Sequence, residues 1–552
     1  MERNKIKISF VTFIIIIIVA LVVFLGVILH SFYKNRTEEK VKFENLNGNI
    51  DTAEYKLGIV DNHSLSAFDL SFLKLENKQE NKIYSPLSIK YALKMLEEGA
   101  NGNTKEQISK IIGPLDVTKY KTNQNMALAN SIFIRDNYKN RINQSYIDNL
   151  KDKYNAEVNF DSFKDAKNIN NWIKNRTLNI IPNIIEDDAV RKIDFALVNA
   201  LAIDMEWNQK FLLTAVNDGP EIVSFPHEKR KANSADDFLG LNVYNVENVS
   251  SNIFKNDKKE QKISGMIVDA AINNYDIVNE LGEENIKQIV SEEYRKFAKN
   301  EKYDTDHAFG DFPLSEDISD EGIEKDLKEF IPNYIKEIKQ NYHKYGTTTE
   351  FLLYVDDDVK VFAKDLKKYG DTTLQYIGIM PKNENLDSFV RRIDNDKIKK
   401  YIKNLKSIDY RNFNEGVVTK ITGFIPKFKF DYNLNLMEDL KKQNITDVFD
   451  SQKADLKNIT DDSAYINTAL HKASIEFTQD GIKAAAATIL GGYGAGEPFD
   501  YYFDVPVEEI DITFDRPYMF LIKDKQTEDI WFIGTVYEPL LWKDEPENMY
   551  EG

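Results

Sequence analysis

Gln479-Asp480-Gly481-Ile482-Lys483-Ala484-Ala485-Ala486-Ala487-Thr488-Ile489-Leu490-Gly491-Gly492-Tyr493-Gly494-Ala495-Gly496 is the stretch on which the reading of this chain turns. Small side chains run into glycines, and an acidic segment follows from Glu497 to Asp504. Side chains of this kind do no catalysis; they suit a segment that moves or is cut. In an extended strand, successive side chains point to opposite faces. One face then carries Ile482, Ala484, Ala486, Thr488 and Leu490, and the other carries Lys483, Ala485, Ala487 and Ile489. A helix is the competing reading, since alanine is the best helix former, Asp480 suits a helix start and Gly491 suits a helix end. Taken alone, the stretch permits both.

Its neighbours favour the strand. Upstream stand His471-Lys472-Ala473 and Ile475-Glu476-Phe477; downstream stand Phe514-Asp515-Arg516-Pro517-Tyr518, Phe520-Leu521-Ile522, Phe532-Ile533-Gly534 and Pro539. Earlier come Asn81-Lys82-Ile83-Tyr84-Ser85-Pro86-Leu87-Ser88-Ile89, Gly99-Ala100-Asn101-Gly102-Asn103-Thr104, Asn170-Asn171-Trp172-Ile173, Leu197-Val198-Asn199-Ala200 with Trp207 and Phe211, and Ile425-Pro426-Lys427-Phe428. This ordered set resembles the serpin family over most of the chain.

The resemblance implies an α+β fold, with a large mixed β-sheet, further sheets and surrounding helices. It also implies a suicide inhibitor of serine proteases and not an enzyme. A protease cuts the exposed loop, is held as an acyl-enzyme, and is carried off as the loop enters the large sheet as a new strand. Loop insertion of this kind is a known form of strand addition and strain release. By the same resemblance, residues Gln479, Asp480, Gly481, Ile482, Lys483, Ala484, Ala485, Ala486, Ala487 and Thr488 form the hinge. Counting from it, Ala495-Gly496 is the cleaved bond, with Tyr493 as the rival position. Ser85, Ser88, Asn199 and His471 match a buried hydrogen-bonding cluster behind the large sheet, and Trp207 a position near its top where entry begins. An Ala495 methyl suits an elastase- or subtilisin-like target, Tyr493 a chymotrypsin-like one, and neither suits a trypsin-like pocket. The sequence departs from the family pattern where Gln479-Asp480 replaces a more acidic pair, where Ile482 replaces threonine or serine, where Tyr518 replaces phenylalanine, and in a longer loop. Two other functions fit the same pattern: a non-inhibitory carrier or surface protein, and a scaffold whose insertion binds a partner.

Composition narrows the rest. The 552 residues carry 90 acidic against 72 basic side chains, a net charge of −18, which argues against nucleic acid as a partner. There is no cysteine, so disulfides, thiol nucleophiles, thiolate metal sites and lipoprotein anchoring are excluded. The six histidines show no metal-ligand spacing. No Gly-x-Ser-x-Gly surrounds Ser85 or Ser88. No catalytic residue, metal or cofactor is expected, and the body is expected to be monomeric.

Ile8 to Leu29 contains no charge and as a helix spans about 33 Å, enough for a bilayer. It reads as an uncleaved transmembrane anchor in residues 1–33, followed by a polar stem over 34–57. The basic residues on its two sides balance; the short leading tail and large following body favour a single pass through the plasma membrane with the body outside. The serpin-like body spans 58–542, ahead of an acidic tail over 543–552. Its interruption at 235–346 is expected to be mainly helical, because Ile286, Ile289, Val290, Tyr294 and Phe297, then Ile323, Leu327, Phe330, Ile331, Tyr334, Ile335, Ile338 and Tyr342, recur at helical spacing. Packing of these stripes on each other is the simpler reading, and Pro332 is expected to kink or split the second helix.

Overall fold

The computed structural model describes residues 60, 63–76, 78–209, 211, 228–231, 249–298, 319–341, 351–482 and 504–542. The anchor at 8–29, the stem, Lys483 to Thr488, Tyr493, the Ala495-Gly496 bond and the acidic tail lie outside them. Among the described residues no helix is long and apolar enough to cross a membrane.

Three sheets organise the body. The large one contains β1 (Met126–Arg135), β2 (Glu157–Asp161), β3 (Phe195–Ile203), β4 (Met205–Glu206), β5 (Phe428–Leu434), β6 (Thr468–Phe477) and β7 (Gly481–Ile482), in the order β2-β1-β3-β6-β7-β4, with β5 also paired to β6. β3 and β6 run parallel and β3 is antiparallel to β1. Every residue of β3 is buried, as its nearly continuous apolar run requires of a central strand covered on both faces. Phe195, Leu197, Leu201 and Ile203 join the main core, while Ala196, Val198 and Ala200 pack with Ile169 and Ile173 of the helix Lys167–Arg176. Odd-numbered side chains of β3 therefore face the core beneath the sheet.

A second sheet of seven strands includes Leu374–Pro381, Tyr518–Asp524 and Ile530–Val536, buried throughout. The third has five strands: Glu228–Lys231, β8 (Asp504–Asp511), Val418–Pro426, Glu260–Asn273 and Val249–Lys255. β7 and β8 thus bracket residues 483–503, one end in each of two sheets.

The interruption over 235–346, expected to be mainly helical, also contains strands. Val249–Lys255 and Glu260–Asn273 are strands, and in the second of these Met266, Val268, Ala270 and Ile272 are buried at a period of two, a strand pattern. The helical part runs through Ile277–Leu281, α2 (Glu283–Ala298) and α3 (Asp320–Asn341). α3 is not split: Pro332 lies inside it. The stripes do pack on each other, with Tyr294 against Ile323 and Leu327 in one cluster and Ile286 and Val290 with Ile335 in another.

Candidate functional site

The seam between β3 and β6 is where the residues singled out in the sequence converge. The two strands are register partners over four positions, Thr468↔Ala196 to His471↔Asn199. From Lys472 and Ala200 upward that pairing ends. At the top, β7 lies between β6 and β4, with Ile482 opposite both Phe477 and Met205, and Gly481 opposite Glu206. A two-residue strand is already seated in the seam.

Local chemistry explains why it sits there. Gly481 is obligatory, because a Cβ at this position would come within 2.1 Å of the Met205 carbonyl oxygen. Ile482 points down into the main core and is 1% exposed. Trp207 fixes the approach: its backbone N–H donates to the Asp480 carbonyl at 3.0 Å and its indole N–H to the Thr478 carbonyl at 2.9 Å. The Phe211 N–H donates to the Gln479 carbonyl at 3.0 Å. The turn closes on itself through Thr478, whose N–H donates to the Gly481 carbonyl at 3.0 Å and whose hydroxyl donates to the same oxygen at 3.2 Å. Trp207 is edge-on to Phe477 and Phe211 with centroids 5.3 and 5.7 Å apart, and the buried Lys364 ammonium lies 4.6 Å from the Phe211 ring centre. Gln479, Asp480, Gly481, Ile482 and Trp207 thus meet in one place.

Six rungs below Ile482 sits the second group. α1 (Pro86–Gly99) starts directly under β6: Ser85 caps it, its hydroxyl accepting from the Ser88 N–H at 3.1 Å, with Pro86 in the first turn. The Ser85 N–H donates to His471 Nε2 at 3.0 Å. A ring that accepts at Nε2 is neutral and carries its proton on Nδ1. Complete burial agrees with this, holding the imidazole pKa down at about 3. The Asn199 amide donates to Asn130 Oδ1 across to β1. Three buried polar atoms of this group, Ser88 Oγ, Asn199 Oδ1 and His471 Nδ1, have no hydrogen-bond partner among the described residues. Ser85, Ser88, Asn199 and His471 are therefore one cluster at the highest rung where the seam is closed.

Sequence reasoning passed over Thr478, Met205 and Asn130. Asn130 carried a signal, as a polar residue inside the apolar strand Met126–Arg135 must find a buried partner. Met205 and Thr478 act mainly through backbone, which no side-chain pattern reveals. Ile482 is buried without any further entry of the loop, because the Gly481 contact and the two Trp207 bonds dock this segment. The group forms no nucleophile, base and orienter constellation, and among the described residues no cluster of potential ligands could hold a metal ion.

Comparison with known proteins gives a consistent picture. The family model described as serpin (serine protease inhibitor) matches residues 63–220 and 338–539. The leukocyte elastase inhibitor of Bos taurus is 23% identical over 498 residues, spanning 86% of this chain and 97% of that protein; its Homo sapiens counterpart is 22% identical over 86% and 97%. Among solved structures, a thermophilic serpin, tengpin, in the native state superposes with a TM-score of 0.53 at 20% identity, covering 85% of this chain and 92% of that one. A thyroxine-binding globulin complex with thyroxine superposes with a TM-score of 0.51 at 17% identity, covering 86% and 98%.

Two outcomes follow from this geometry. The folded His471 titrates far below its unfolded value near 6.5, so the native state forgoes a proton that the unfolded chain takes up. Its stability contribution is therefore full above about pH 6.5 and declines toward the folded value. Between pH 7 and pH 5 this amounts to about 2 kcal/mol. In His471→Gln the loss of thermal midpoint over that interval should be smaller than in the parent; an equal loss would contradict the buried neutral ring. Ile482→Arg places an unpaired guanidinium in the core, which costs several kcal/mol, so the hinge should leave the seam. Proteases should still cut the variant, without forming a complex that survives boiling in detergent; inhibition equal to that of the parent would rule out the inward position of this side chain.

Proposed function

The chain belongs to the serpin family of serine protease inhibitors, and from that premise we propose that it inhibits a serine-type protease by a mechanism in which its loop is cut and then drawn into the large sheet. One observation carries the proposal: the hinge is already a strand in the seam, in a register that the rest of the loop can continue. Each further residue moves one rung down both neighbours, so Ala484 and Ala486 take inward places, Thr488 meets His471 and Asn199, and Gly491 meets Thr468 and Ala196. The alanines enter without overpacking.

Thr488 arrives where it is wanted. A hydroxyl both donates and accepts, so at that rung it supplies an acceptor for the unpaired His471 Nδ1–H and a donor for the unpaired Asn199 Oδ1. Passing this rung breaks the four β3–β6 pairs and is the step at which entry meets resistance. Leu490 then gains about 1.5 to 3 kcal/mol by full burial, and each new ladder hydrogen bond adds about 0.5 to 1.5 kcal/mol net. The protein is a trap that is consumed, with no catalysis of its own.

The target class comes from the loop. Ala495 before the cut fits a small specificity pocket of elastase or subtilisin type, and no lysine or arginine stands between Ala484 and Asp515 for a trypsin-like enzyme. The relatives named leukocyte elastase inhibitors support the same choice. Tyr493 as the cut residue would instead select a chymotrypsin-like enzyme. We further assign residues 8–29 as a membrane anchor that holds the monomeric body on the outer face of the plasma membrane. A charge-free stretch of that length supports this assignment.

Incubation with trypsin-, chymotrypsin-, elastase- and subtilisin-type proteases tests the reading. Elastase- or subtilisin-type enzymes should form boiling-resistant complexes and release a carboxy-terminal fragment whose mass begins at Gly496. A fragment beginning at Gly494 would move the cut to Tyr493. Cleavage by every active enzyme with no complex would refute inhibition and leave a carrier or scaffold role.

A further inference from the structure

The strand that receives the far end of the loop is held on every side. β8 is parallel to Val418–Pro426 over five register pairs, Val418↔Val507 to Thr422↔Asp511. On its other edge, Glu228–Lys231 adds four antiparallel pairs, Asp504↔Lys231 to Val507↔Glu228. Asp511 is paired to Lys360 of the second sheet at 2.6 Å, and the Asn414 amide donates to Glu508 at 3.0 Å. Above all, Val507 is buried in a cluster made with the helical segment: Tyr275, Ile286, Val290 and Ile335 close over Val507 and its register partner Val418. The near end of the loop has two strand residues; the far end has a sheet on both edges and a helical cover.

We infer that the helices Ile277–Leu281, α2 and α3 are a latch on β8, which keeps the uncut loop from entering the seam spontaneously. The inference rests on the inhibitory reading, since only a loop able to insert needs restraint. Reach decides the matter. An uncut loop seated through Gly491 would have its far end about 30 Å below Ile482, at ~3.3 Å per residue. Only the twelve residues 492–503 would remain to return to β8, and their full extension is about 43 Å. The descent alone takes about 30 of those about 43 Å, which costs these residues part of their conformational freedom. Peeling β8 from its sheet would add about 26 Å of slack. The latch works by refusing that slack. Cleavage removes the constraint altogether, so the latch opposes the unwanted route and leaves the inhibitory one free.

The cover can be loosened from the helix side, without touching loop, hinge or seam. Ile335→Asp puts a charge into the cluster over Val507, and Val290→Ala is a milder cavity variant at the same place. The full-length chain in detergent is held at 37 °C without protease. At intervals, its capacity to form boiling-resistant complex with an elastase-type protease is measured, together with the mass and thermal midpoint of the uncut protein. Both variants should begin with the parent's capacity and lose it faster, Ile335→Asp by at least about fivefold, while an uncut, heat-stable monomer accumulates. Loss at the parent's rate, or faster loss without that monomer, would overturn the latch. Should the parent form no complex at all, the inhibitory reading fails on its own. The latch is then judged by the uncut heat-stable monomer, which must appear sooner in the variants.

Discussion

Four register pairs between Thr468–His471 and Ala196–Asn199 are the constraint on which the rest of this protein depends. They close the lower seam of the large sheet, while its upper part is already divided by Gly481 and Ile482. The rung at His471, the first closed one below this strand end, is propped from below by α1 through the Ser85 N–H. The same rung holds unpaired polar atoms, a cost that buried groups normally avoid. Those atoms make the closed seam less stable than it would otherwise be, and a hydroxyl arriving from the loop would relieve it. On the proposed mechanism, strain in the uncut state and stability in the inserted state come from the same side chains.

Asymmetry between the two ends of the loop gives this arrangement a direction. The near end is docked by backbone bonds from Trp207 and Phe211 and by one buried isoleucine, so it can extend downward one rung at a time. The far end is embedded in a five-stranded sheet and covered by helices. The two ends of the loop are thus held to different extents, by a strand of two residues at one and of eight at the other.

Much of this was legible in the sequence, and the reason is that the fold is written in backbone demands. Gly481 is needed for a carbonyl that would touch any Cβ. Ile482 lies on the inward face assigned to it, and Ser85, Ser88, Asn199 and His471 do gather in one cluster. Less was legible where two periodicities lie close together. The stripe from Met266 to Ile272 is a strand, yet it leads without a break into helical stripes, and the boundary at 235 followed the stronger signal. Pro332 was expected to kink or split its helix; the helix runs on through it, with Leu327 and Ile335 packed on either side. Partners such as Met205, Thr478 and Val507 were beyond reach, because their roles depend on which backbone or which second sheet they meet in space.

On the proposed mechanism the uncut body is held short of its most stable form. The direct measurement is the thermal midpoint of the purified protein before and after limited proteolysis between 490 and 500, with both fragments shown to stay together. Entry of the strand adds burial and, summed over the new rungs, ladder hydrogen bonds worth on the order of ten kcal/mol. The midpoint of the cut protein should therefore rise by well over 10 °C. A midpoint that is unchanged or lower after cutting would contradict it.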